Sequence, residues 1–121
     1  MDILIVDDSA AIRKILRRVL LQTEIPLGQI YEAGDGCEAL LRLRENPVQL
    51  IISDINMPNM DGLQLLGTLK STAEWKGIPV VMVTTEGSQQ KVLQSIELGA
   101  VGYVKKPFSA DQIKETLAGI I

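Results

Sequence analysis

Apolar and polar positions along this chain follow two different periods in alternating blocks. Five short, mostly aliphatic runs recur, at Ile3–Val6, Gln29–Ala33, Leu50–Ser53, Val80–Val83 and Val101–Val104. The first, third and fourth are nearly uninterrupted, as expected of strands covered on both faces. The segments between them carry apolar residues at helical spacing. Ile12, Ile15, Leu16, Val19 and Leu20 form one stripe, with Ser9 placed to cap its start. Ala39, Leu40 and Leu43 form a second, Leu63, Leu66 and Leu69 a third, and Val92, Leu93 and Ile96 a fourth. The last stripe, Ile113, Leu117 and Ile120, follows Ser109-Ala110-Asp111-Gln112, which reads as a capping box.

Strand and helix therefore alternate five times. Strands separated by helices of this length make a parallel sheet with right-handed crossovers. The expected fold is α/β, a doubly wound five-stranded parallel sheet in the order 2-1-3-4-5 flanked by five helices, of the flavodoxin-like kind. Ligands in such sheets sit beyond the carboxyl ends of the strands, so the residues just after each apolar run are the informative ones. Strand 1 runs into Asp7 and Asp8, strand 3 into Asp54, strand 4 into Thr84, and strand 5 leads to Lys106-Pro107. Strand 2 ends in Ala33-Gly34 and offers nothing as pointed.

Three carboxylates on one rim cannot all ionise comfortably without a cation. An all-oxygen site of this kind suits Mg²⁺, whereas zinc lacks its usual imidazole and thiolate partners here. Taken alone, Asp7 and Asp8 need do no more than cap the first helix with Ser9. Taken with Asp54, Thr84 and Lys106 at equivalent strand ends, they read as a site.

Composition narrows the rest. At 121 residues and 46% hydrophobic, the chain is expected to be one domain, residues 1–121, around a single core. No apolar run approaches the roughly 20 residues of a spanning helix, and MDILIVDD lacks the features of a secretory peptide, so no membrane insertion is expected. The single cysteine, Cys37, excludes an intrachain disulfide and a thiolate metal cluster, in keeping with a cytoplasmic protein. Standing among Ala39, Leu40 and Leu41, it reads as a buried thiol. The absence of histidine removes the commonest general base and zinc ligand. A net charge of −3 argues against a nucleic-acid binder.

Four segments then carry a resemblance that spans essentially the whole chain. "VDDS", "SDINMPNMDG", "VMVTTE" and "GYVKKPF" resemble, in order and spacing, the signature segments of bacterial response-regulator receiver domains. The stretch around Asp54 is especially similar to that of the single-domain chemotaxis regulators of the CheY type. The resemblance implies that Asp54 accepts a phosphoryl group from a phosphohistidine on a sensor histidine kinase or a histidine phosphotransfer protein. It implies Mg²⁺ held directly by Asp8, mainly through water by Asp7, and also by Asp54 and the backbone carbonyl of Asn56. By the same resemblance Lys106 pairs with the phosphoryl group, Thr84 is a switch hydroxyl, Tyr103 is an aromatic that moves with it, and the Lys106–Pro107 bond is cis. Read from the residues alone, Thr84 is a turn hydroxyl, Tyr103 a core ring with a wet tip, and Lys106 a solvated lysine.

Asn56 and Glu86 stand two residues after Asp54 and Thr84, where the family varies side chains that set the phosphoryl lifetime. A polar pair there is expected to give a short-lived state. Trp75 falls in the connection before strand 4, away from the site. The family signals through the face of helix 4, strand 5 and helix 5, expected here to include Lys91, Gln94, Lys105 and Lys114, meeting another protein that for a chemotaxis regulator is the flagellar switch. The expectation is therefore a monomeric signalling module rather than an enzyme. Two alternatives keep the same fold: a phosphorelay or phosphate-sink receiver, and a receiver that is part of a longer regulator. A remote one is a Mg²⁺-dependent phosphohydrolase with an aspartyl nucleophile. It is disfavoured because Ile55-Asn56 replaces the usual Asp-x-Asp pair and no insertion forms a cap. A dinucleotide or flavin binder would want a Gly-rich loop after strand 1, which is missing.

Overall fold

The structure, a computed structural model, describes residues 1–85 and 89–120. Five strands alternate with five helices: β1 (Ile3–Val6), α1 (Ala10–Gln22), β2 (Ile30–Ala33), α2 (Gly36–Glu45), β3 (Leu50–Asp54), α3 (Gly62–Lys70), β4 (Val80–Thr84), α4 (Gln89–Glu97), β5 (Gly102–Lys105) and α5 (Ala110–Ala118). All strand pairings are parallel, in the order β2-β1-β3-β4-β5, as the pattern of the chain predicts.

Alternation along the strands builds two cores. Leu4, Val6, Ile51, Val80 and Met82 point to the face covered by α2, α3 and α4. Their neighbours Ile3, Ile5, Leu50, Ile52, Val81 and Val83 point to the face covered by α1 and α5. A strand that is apolar at every position is thus explained by a helix layer on each side. The edge strands β2 and β5 are less buried.

Helix ends follow the sequence. Ser9 accepts from the Ile12 N–H, and Ser109 forms a capping box with Gln112. Asp61 and Gln64 form another at the start of α3, which fixes where the loop after β3 turns into helix.

Four expectations about burial are corrected. In α1, Ile15 is exposed, because the inward stripe is carried by Leu16, Val19 and Leu20. In α4, Val92 and Ser95 face inward, and Leu93 and Ile96 are 61% and 47% exposed. The small Ser95 donates its hydroxyl to the Val92 carbonyl, so a polar residue takes the buried position that periodicity gave to Ile96. Cys37 is exposed, since α2 turns Gly36, Ala39 and Leu43 inward and leaves Cys37 and Leu41 on the outer face. The strand ends also shift slightly. β2 begins at Ile30 rather than Gln29, β5 begins at Gly102 rather than Val101, and β3 and β4 each run one residue further, through Asp54 and Thr84.

Candidate functional site

The register of β1 on β3 brings two acids together. Ile5 pairs with Ile52 and Val6 with Ser53, so one further step sets Asp7 opposite Asp54. Neighbouring strands lie about 4.8 Å apart. Asp8 joins them at the loop, and one carboxylate oxygen from each of Asp7, Asp8 and Asp54 lies within 4.8 Å of the others. Asp7 and Asp54 are buried, at 1% and 7% exposure, while Asp8 is exposed and forms the mouth.

Each buried carboxylate is held in place. Asp7 Oδ1 accepts the Ser9 N–H at 2.9 Å, and its Oδ2 accepts from Lys106 Nζ at 2.9 Å. Asp54 Oδ1 accepts the Ile55 N–H at 2.8 Å, and its Oδ2 is 3.4 Å from the same ammonium. Asp7 therefore both steadies the start of the first helix and belongs to the acidic group. Burial pushes the Asp54 carboxyl above its ordinary value and the charge of Asp7 pushes it further, with Lys106 and the Ile55 N–H opposing. Burial alone would lower the Lys106 ammonium, but the hydrogen bond to Asp7 and the charges of Asp54 and Asp7 outweigh it, and its pKa is raised. Lys106 is carried from β5, where its N–H donates to the Thr84 carbonyl at 2.7 Å, and the Lys106–Pro107 peptide is cis.

The donor set fits a hard divalent cation. It supplies carboxylate oxygens, no sulfur and no nitrogen, with one exposed acid at the opening and excess negative charge that a single lysine does not balance. Asp7, Asp8 and Asp54 could hold such an ion.

Other predicted residues are placed less uniformly. Thr84 ends β4 at 1% exposure, and its hydroxyl donates to the Thr85 carbonyl at 3.2 Å, within its own loop. Tyr103 is 43% exposed on β5, so it is not a core ring. Asn56 is exposed in the loop after β3, and its Oδ1 accepts from Lys91 Nζ at 2.5 Å. Lys91 of α4 is thus brought to the rim itself. Gln94 opens instead onto a groove with Leu63 and Gln64 of α3, and Lys114 onto a depression with Glu24, Ile25 and Pro26 beside α1. Lys105 is exposed on β5. All four expected face residues are exposed, and Gln94 and Lys114 border different depressions. Glu86 lies outside the described residues. Trp75 packs beside Pro47 and Val48, at the end of the sheet opposite the rim.

Two supports were not evident from the sequence. Arg13 of α1 donates through Nε to Glu32 of β2 and through a terminal nitrogen to the Asp7 carbonyl, fastening the loop after β1. The spacing of Arg13 and Arg17, one helical turn apart, is the signal for it, since both reach Glu32. Asn59, at φ 63°, donates to Asp35 Oδ2 at 2.7 Å, while Asp35 Oδ1 caps α2 through the Glu38 N–H. The left-handed backbone there suits asparagine better than most residues. This clamps the loop carrying Asn56 to the start of α2.

Fold and rim together define a class. The model of the response regulator receiver domain matches residues 3–118, and the chain belongs to that family. Within it, the chain is 36% identical over 117 residues to the chemotaxis protein CheY-3 of Vibrio cholerae, across 97% of this chain and 88% of that protein. It is 35% identical over 122 residues to the CheY homolog of Campylobacter jejuni, across 100% of this chain and 92% of that protein. Among solved structures, the chemotaxis response regulator CheY4 of Vibrio cholerae superposes with a TM-score of 0.87 at 32% identity, covering 99% of this chain and 98% of that one. Among the described residues no helix is long and apolar enough to cross a membrane.

Proposed function

We propose that this chain is a phosphorylation-operated receiver, a single domain spanning residues 1–121, that takes a phosphoryl group onto Asp54 from the phosphohistidine of a sensor histidine kinase or histidine phosphotransfer protein. The observation that carries the reading is the placement of Asp54. Its carboxylate ends a buried strand, 3.4 Å from an ammonium and beside two further carboxylates, one of them open to solvent.

In the transfer, a carboxylate oxygen of Asp54 forms a bond to phosphorus and the phosphorus–nitrogen bond breaks. The bonding pair returns to the imidazole, and an acyl phosphate remains on Asp54. Asp7, Asp8, Asp54 and the carbonyl of Asn56 would hold Mg²⁺, which offsets charge on the transferring oxygens when bound. Lys106 stands ready as the second positive point, already oriented by Asp7. Thr84 and Tyr103 are the switch pair, and freeing the Thr84 hydroxyl from the Thr85 carbonyl is the local change the switch requires. Asn56 and Glu86 set how long the acyl phosphate lasts.

The output is a surface for another protein rather than catalysis on a substrate. Gln94, Glu97 and Leu98 face the α3 groove, so Leu93 and Ile96 lie on the flank of α4 away from it, toward the edge strand. With Tyr103 and Lys105 of β5 they give the output face an apolar centre and a basic border, in which Lys91 stands nearest the site. Gln94 and Lys114 belong to its margins. The names of the Vibrio and Campylobacter relatives favour chemotaxis as the pathway. In that pathway the proposed target is the flagellar switch, met in the cytoplasm by a monomer.

The test is intact mass after incubation with acetyl phosphate and Mg²⁺. A gain of one phosphoryl group by the wild type, absent with EDTA and absent in Asp54→Asn, supports the reading. No gain with Mg²⁺, or an equal gain in Asp54→Asn, overturns it.

A further inference from the structure

Lys91 stands in the first turn of α4, yet its ammonium reaches across to the loop after β3 and donates to Asn56 Oδ1. An ammonium has donors only, so the bond fixes the Asn56 amide with its oxygen toward α4 and its NH₂ turned away. Asn56 is two residues past Asp54, at the open side of the rim.

An acyl phosphate on Asp54 is lost by hydrolysis. The oxygen of water bonds to phosphorus, the bond from phosphorus to the Asp54 oxygen breaks, and its electron pair stays on the restored carboxylate. The proton passes to solvent and inorganic phosphate leaves. Water can approach only from the open side, because β3 and its neighbours close the other. To line up for attack it benefits from an acceptor that orients one of its hydrogens. The amide oxygen of Asn56 is such an acceptor, and the bond from Lys91 draws it toward α4 and takes one of its two lone pairs.

We infer that Lys91 is a positioning residue that prolongs the phosphorylated state by holding the Asn56 amide oxygen away from attacking water. The inference rests on the reading of Asp54 as the phosphoacceptor. It gives Lys91 a role at the site distinct from that of a partner contact, and it sets the lifetime through α4, a different element from the one that carries the phosphoryl group.

The experiment loads the full chain with acetyl phosphate and Mg²⁺, removes the donor rapidly, and follows loss of the phosphoryl group by intact mass. Wild type, Lys91→Met, Asn56→Ala and the double variant are compared. Methionine keeps the length of the side chain and removes the donor. Lys91→Met is expected to lose the group about three- to tenfold faster than wild type, the range of an ordinary net hydrogen bond, since exposure to water weakens a charged one. In the Asn56→Ala background the same change is expected to have no effect. Equal or slower loss in Lys91→Met overturns the inference, and so does an acceleration that persists without Asn56. Phosphoryl uptake by the wild type, followed by equal or slower loss in Lys91→Met, means that the latch fails while the Asp54 reading stands. A wild type that takes up no phosphoryl group overturns both.

Discussion

The ammonium of Lys106 lies 2.9 Å from Asp7 Oδ2, although 99 residues separate the two in the chain. Asp7 is almost fully buried, and it faces Asp54 across the β1–β3 register. Removing the ammonium leaves two buried carboxylates, with oxygens within 4.8 Å of each other, and takes away the charge that opposes them. Lys106→Met is expected to lower unfolding free energy by about 2–4 kcal/mol in EDTA. That is at or below the ~3–5 typical of a broken buried pair, because Lys106 keeps some contact with water. Mg²⁺ should restore part of the loss, while Asp54→Asn, which removes one of the acids, should shift stability the other way. Urea unfolding with and without Mg²⁺ checks all three signs.

Gly62 opens α3 directly behind the acceptor residue. A Cβ there would collide with the Asp54 carbonyl oxygen and lie 2.8 Å from the Ile55 Cα, both of them backbone that cannot swing aside. The Gly62 N–H also donates to the Ile55 carbonyl at 2.7 Å. Gly62→Ala is expected to cost about 1–3 kcal/mol, the range of overpacked sites, and to slow phosphoryl uptake because it displaces Asp54 itself. Urea midpoints and acetyl phosphate kinetics measure the two effects.

Glu32 of β2 is bound by both Arg13 and Arg17. Burial raises its carboxyl, but the hydrogen bonds and charges of the two arginines outweigh that, and its pKa falls below the ordinary 4.5. A depressed folded-state pKa supplies stability that is present above the unfolded value and is lost as pH falls through the folded one. Glu32→Gln should therefore be less stable than wild type at pH 7, and the gap should close as the pH is taken below about 4.5. Unfolding curves at a series of pH values test this. A gap that stays constant into acid would contradict it.

Leu93 and Ile96 fit the periodicity of a core stripe but stand exposed on α4. Replacing both by glutamine is expected to change stability by no more than about 0.5 kcal/mol at each site and to leave phosphoryl uptake unchanged. A loss of about 2–5 kcal/mol per residue, the figure for buried leucine and isoleucine, would place them in the core instead. Urea unfolding distinguishes the two outcomes.

The sheet order and the three rim acids were legible because strands buried on both faces leave an unbroken apolar signal, and in a parallel sheet their ends share one edge. What failed was the reading of helix faces. α4 has too few apolar positions to tell its inward from its outward side, and the buried position fell to Ser95, whose hydroxyl is satisfied within the helix. Cys37 was misread for a related reason, since two adjacent leucines in α2 point to different faces. Contacts that bring together different elements left weaker traces. The Lys91–Asn56 bond depends on where α4 begins, and the Asn59–Asp35 clamp depends on one left-handed residue.

The central claim is that the Asp54 side chain forms an acyl phosphate. The most direct measurement is to treat the chain with acetyl phosphate and Mg²⁺, reduce it with borohydride, and map the modified residue by peptide mass spectrometry. Borohydride reduces an acyl phosphate to an alcohol and leaves free carboxylates untouched, so it marks the acceptor permanently. The account predicts conversion of residue 54 to homoserine, dependent on Mg²⁺ and absent without the phosphoryl donor. Conversion at Asp7 or Asp8, or at no residue while the chain still gains phosphoryl mass, would contradict it.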